Sequence, residues 1–279
     1  MAKIVGVHGV GHQFNGANTL RAEWLPALKD GLALADRQLA SDEDFACAFY
    51  GDVFRPAGKS GSPPYDASDV VDEWEIQMLE ELWKEAARID KAVTSPERRD
   101  LKGTPALVQG ALDALSRSRY FAAILEAALI FDLKQVRMYM NDPAVKRECQ
   151  ARLARAVGPD TTVLVAHSLG SVVAYEALCA NPNWRIRTFV SLGSPLGIAN
   201  LIFDKLAPRP TDGFARWPAG VERWFNITAQ DDVVALVKNL KSRFGARIVN
   251  SSVGNGAHAH DARHYLTTEE LGNAVASGL

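Results

Sequence analysis

The sequence predicts an α/β fold, a mostly parallel sheet with flanking helices, on three observations. Short runs rich in β-branched residues alternate with longer segments of helical period, the pattern of strands joined by crossover helices. The 279 residues suffice for one large α/β domain with an inserted subdomain. The alternation breaks once, over residues 60–141, which hold no credible strand although both flanks do.

The first strand, residues 3–8, is an apolar run ending in His8-Gly9-Val10-Gly11, and a helix follows over 17–34. A second strand is expected over 45–50. The interval that follows opens with the loop KSGSPPYD and then turns helical. Over 69–91, Val70, Trp74, Met78, Leu82, Ala86 and Ile89 recur at spacings of three or four, with acids early and Lys84, Arg88 and Lys91 late, as the helix dipole favours. After Gly103-Thr104-Pro105 a second helical stretch covers 106–140 and is more apolar still. The chain therefore divides into a core of residues 1–59 and 142–279 and an all-helical insertion of residues 60–141.

Pro143 after Asp142 starts the next helix, 143–156, and Gly158-Pro159 stops it. Strands are expected over 161–166, 187–192, 224–228 and 247–252, with helices over 169–180, 233–241 and 268–276. Pro208, Pro210, Gly213, Pro218 and Gly220 mark an irregular loop between two of these strands.

A net charge of −2 and a pI near 6.3, with no interleaving of aromatics and Lys/Arg runs, argue against nucleic acid as a partner. Cys47, Cys149 and Cys179 are odd in number and widely spaced, which fits reduced thiols and a cytoplasmic location. The opening MAKIVGVHGVGH lacks the long apolar run of a signal peptide. The longest apolar stretch, near residues 121–131, is interrupted by Glu126 and too short to span a bilayer, so a soluble protein is expected. Gly58-Lys59-Ser60 invites comparison with a phosphate-binding loop, but Val53 stands where the pattern needs its first glycine, and Gly61, Pro63 and Pro64 replace the helix that should follow.

The run TTVLVAHSLGSVVAYEAL reads as a buried strand, a sharp turn and a helix of small and apolar residues, with Ser168 on the turn. A serine so placed stands at the carboxyl end of the sheet. Small residues two before and two after it, Ala166 and Gly170, let strand and helix close up, and the helix N-terminus favours a developing negative charge. The same pentapeptide also suits a plain turn with a capping serine.

This turn resembles the nucleophile elbow G-x-S-x-G of the α/β-hydrolase superfamily, with Ala166 in place of the first glycine. The His8-Gly9-Val10-Gly11 segment resembles the His-Gly oxyanion segment of lipases and esterases, which implies that the backbone N–H groups of Val10 and Leu169 form an oxyanion hole. In WFNITAQDDVVAL the resemblance selects Asp232 as the triad acid, with Asp231 the close alternative. In NGAHAHDARHYLTTEE it selects His260 as the triad base, with His258 the runner-up and His264 left to helix surface or packing. The order serine, acid, histidine is that of α/β-hydrolases. SLGSPLG resembles a turn of lipase-like members, and Ser194 is assigned no chemistry.

The resemblance implies a serine hydrolase, lipase- or esterase-like, that cleaves a carboxylic ester with an apolar acyl group through an acyl-enzyme, without metal or cofactor. It also implies a sheet lacking the superfamily's first two strands, with residues 60–141 as lid or cap. The insertion's apolar residues either line an acyl pocket or pack only its own core. A small-molecule or lipid ester is the expected partner, and a homo-oligomer is possible. The same triad also serves acyltransferases and peptidases, and the same fold a catalytically silent interaction protein. Metal readings of His8 with His12, and of His258 with His260, lack a register or a cysteine or carboxylate cluster to complete a ligand set.

Overall fold

Six parallel strands form one sheet in the order β2-β1-β3-β4-β5-β6. They are β1 (Ile4–Val7), β2 (Phe45–Ala48), β3 (Val163–His167), β4 (Thr188–Leu192), β5 (Arg223–Ala229) and β6 (Val249–Val253). The structure is a computed structural model describing residues 1–56, 63–96, 104–118 and 126–279. Gly58-Lys59-Ser60 lies outside them.

Every residue of β1, β3 and β4 is buried, as expected of strands covered on both faces. Alternate side chains feed two cores. Ile4, Val163, Val165, Val190 and Ile227 pack under α1 (Ala17–Leu34), while Val5, Val7, Leu164, Ala166 and Phe189 face the opposite layer.

That opposite layer holds the helical interval. It comprises α2 (Glu73–Ile89), α3 (Thr104–Arg117), α4 (Glu126–Asn141), α5 (Pro143–Ala156) and α6 (Leu169–Ala180). Asp72 caps α2 by accepting the Trp74 N–H at 3.0 Å. The second apolar stretch, read from sequence as one helical run, is two helices, α3 and α4. Pro143 opens α5 as expected, with the Asp142 carboxylate accepting the Ala144 N–H at 2.8 Å. Among the described residues no helix is long and apolar enough to cross a membrane, and Cys47, Cys149 and Cys179 are free thiols.

Two carboxylates tie this layer together. Glu75 of α2 is buried and meets Lys134 at 3.0 Å and Arg137 at 2.7 Å, both from α4. Glu176 of α6, also buried, accepts the Tyr139 hydroxyl of α4 at 2.6 Å and the Lys146 ammonium of α5 at 2.8 Å.

The helix expected over 233–241 does not form. Beyond β5 the chain makes irregular turns as far as the single helical turn α7 (Lys241–Phe244). The Asp232 carboxylate accepts the Val234 and Ala235 N–H groups at 2.9 and 3.3 Å, and the Lys238 ammonium bonds the Asp232 carbonyl. The Asp232 carbonyl is thus taken by Lys238 and the Leu236 N–H turns to the Val234 carbonyl at 2.9 Å, so the first helical bond is not made, and Val233, Val234 and Val237 are β-branched and poor helix formers. After β6 come α8 (Ala262–Leu266) and α9 (Glu269–Ala276), which pack beside α1.

From β1 the chain leaves toward β2, and from β3 it leaves the other way, toward β4. Their carboxyl ends flank the crevice at the sheet's switch point, where open α/β sheets bind ligands.

Candidate active site

Ser168 occupies the turn between β3 and α6 with φ 52° and ψ −129°. Backbone of this kind costs a non-glycine residue on the order of 1–3 kcal/mol and persists only where its surroundings enforce it. Here the Ser168 N–H bonds the Leu192 carbonyl at 2.9 Å, and the Ser171 N–H and hydroxyl both donate to the Ser168 carbonyl, at 2.9 and 2.7 Å. The Ser194 hydroxyl bonds that of Ser171 at 2.7 Å, so a residue without assigned chemistry still helps hold the turn. Close approach requires two glycines. A Cβ on Gly170 would stand 2.3 Å from the Val7 carbonyl oxygen, and one on Gly9 would stand 2.7 Å from the Ser168 Cβ.

The Ser168 side chain does not cap α6. Its Oγ lies 2.9 Å from His260 Nε2, and His260 Nδ1 lies 2.8 Å from Asp232 Oδ2. These three side chains, far apart in sequence, thus form one hydrogen-bonded chain at the carboxyl ends of β3, β5 and β6. Of the paired alternatives, Asp232 and His260 stand in it. Asp231 lies on the same turn and His258 is exposed.

Asp232 is fully buried. Burial by itself would raise its pKa, but the charge and hydrogen bond of His260, the Tyr265 hydroxyl at 2.7 Å and the Lys238 ammonium outweigh that and hold the carboxyl down at about 2. An acid so held accepts from Nδ1–H and leaves Nε2 free to accept the Ser168 proton.

Two further histidines are structural. Burial drives His167 down to about 3, so it stays neutral and donates from Nε2 to the His260 carbonyl at 2.8 Å, fixing that residue's main chain. His8, lowered to about 3 mainly by burial, bonds the Gly9 carbonyl at 2.7 Å and accepts the Tyr50 N–H at 3.1 Å, while the Tyr50 hydroxyl donates to the His8 carbonyl. These bonds shape the loop carrying Val10. Leu169 opens α6, so its N–H is among those that lack an acceptor within the helix.

Ser168 stands where two hollows meet, and Val10, Asp132 and His260 line both. One, of about 340 Å³, is the more polar of the two and runs past His12, Glu23, Asp261 and Arg263. The other, of about 110 Å³, is apolar and is walled by Met78 and Leu82 of α2, Leu129, Leu133 and Val136 of α4, and Pro195, Ile198 and Val234.

Sequence reasoning missed Tyr265, the second donor to Asp232, and Asp132, whose carboxyl burial pushes up to about 7 against a weaker pull from His260. Nothing in the local sequence flags either. It also held that no carboxylate completes a ligand set for the loop histidines. In the structure Asp261 lies with His258 and His264, one donor atom of each within 4.8 Å of the others. That carboxylate already grips Arg263 at 2.6 Å.

No protein-family model, no curated protein and no solved structure matches this chain.

Proposed function

We propose that the protein is a serine hydrolase of the α/β-hydrolase type that cleaves carboxylic esters with an apolar acyl group. The observation that carries this reading is the hydrogen-bonded chain from Ser168 through His260 to Asp232. His260 Nε2 takes the Ser168 proton as Oγ attacks the ester carbonyl, and the imidazolium that forms is stabilised by Asp232. The backbone N–H groups of Val10 and Leu169 receive the oxyanion. The alcohol departs with the proton from His260, leaving an acyl-Ser168 that a water activated by the same histidine hydrolyses.

The apolar hollow lined by α2 and α4 receives the acyl group, which makes the helical insertion its cap, and the polar hollow takes the alcohol. The strained serine conformation and the glycine-lined approach of the β1 loop also support this reading.

Ser168→Ala should abolish labelling by a fluorophosphonate probe and reduce hydrolysis of p-nitrophenyl butyrate by at least about 10³-fold, with an unchanged circular dichroism spectrum. Labelling that survives the substitution would refute the assignment.

A further inference from the structure

Building on the serine-hydrolase reading, we infer that Asp132 is a specificity-determining residue for esters whose alcohol carries an ammonium group, and that its carboxylate receives that positive charge.

Asp132 sits on α4 and lines both hollows beside Ser168 and His260. Its carboxyl faces the β1 loop, where a Cβ on Gly11 would lie 3.7 Å from Oδ1. Its hydrogen-bond partner is the Gln135 amide at 3.2 Å, which also bonds Gln13 at 3.2 Å.

The buried acids of the helical layer each meet a cation, Glu75 with Lys134 and Arg137, Glu85 with Arg88 and Glu176 with Lys146. Among the described residues no lysine or arginine pairs with Asp132. Among the described residues the other groups that line the hollows supply no free cation either. Burial lowers the pKa of both His12 and His167 and leaves them neutral. His260 is committed to Asp232 and Ser168, and Arg263 is held by Asp261. Glu23 and the Arg263-paired Asp261 bring further carboxylates to the polar hollow. A half-buried carboxylate is costly to ionise without a counter-charge, and a bound ammonium supplies one.

Ionisation gives the inference a pH signature. Burial shifts the Asp132 carboxyl to about 7, so the negative charge, and the preference for a cation, grows as the pH rises through neutrality.

The test compares two esters of one shape, choline butyrate and its uncharged carbon isostere 3,3-dimethylbutyl butyrate. For the wild type at pH 8 the ratio of their kcat/KM values is expected to favour the cation by about tenfold or more, and to shrink at pH 6. In Asp132→Asn the ratio should fall toward one and lose its pH dependence. A wild-type ratio near one, or a ratio that survives the substitution, would overturn the inference. Should the variant fail to fold, competitive inhibition of the wild type by tetramethylammonium, stronger at pH 8 than at pH 6, answers the same question, and equal inhibition at both overturns it. Fluorophosphonate labelling of the same preparation separates the two readings. A labelled enzyme indifferent to charge sinks only this inference, whereas an unlabelled protein that cleaves neither ester sinks the parent reading and this one with it.

Discussion

The two hollows that meet at Ser168 come from different parts of the chain and differ in character. The polar one is walled by α1 and the loop around Asp261, the apolar one by α2 and α4 from the helical interval. The sheet and its loops place the hydrogen-bonded chain, while the interval supplies most of the apolar wall. Asp132 alone of the α2 and α4 residues there brings a charge. On the proposed function, chemistry and selectivity are therefore separable.

Substitutions can break that separation or sharpen it. The largest effect belongs to the part common to both hollows. Asp232→Asn should lower kcat by about 10⁴-fold, because Nδ1–H loses its anionic acceptor, and by the same factor for acetyl and octanoyl esters. A loss that varies with acyl length would show that the two roles are mixed.

A change confined to the apolar wall should act the other way. Leu133→Trp fills the smaller hollow and should cost octanoyl esters about 10–100-fold in kcat/KM while sparing acetyl esters, read from a chain-length series of p-nitrophenyl esters. Equal loss across the series would place the acyl group elsewhere.

The smallest effect concerns stability. The Asp132 carboxyl is raised in the folded state, so the folded protein binds more protons than the unfolded chain between about pH 4 and 7, and stability falls as pH rises through that window. Asp132→Asn removes this loss. It should raise Tm at pH 8 by about 2 °C, corresponding to on the order of 1 kcal/mol, and leave Tm at pH 4 nearly unchanged. Thermal melts at the two pH values check it, and an equal shift at both would argue against ionisation as the cause.

How much of this was legible in the sequence depended on how local the cause was. β1, β3 and β4 are apolar runs because both faces are covered, and the limits of α5 follow from signals at its ends. Ser168, Asp232 and His260 stand out because each lies on a turn just past a strand. The failed helix over 233–241 shows the opposite case, since its apolar spacing was outweighed by the Lys238 ammonium taking the Asp232 carbonyl and by three β-branched valines. Tyr265 and Asp132 were invisible for a different reason. Their meaning arises only when α8 or α4 packs against a sheet whose strands lie far away in sequence.

The carboxylate of Glu176 sits two turns along α6 from Ser168 and receives Tyr139, Lys146, Gln150 and the Ala207 N–H. It rivets α4, α5 and the loop after β4 to the helix that carries the serine. Glu75 fastens α2 to α4 in turn. On the proposed function these ties would make the apolar hollow a gauge of fixed bore, its far wall held at one distance from Ser168 as the chain folds.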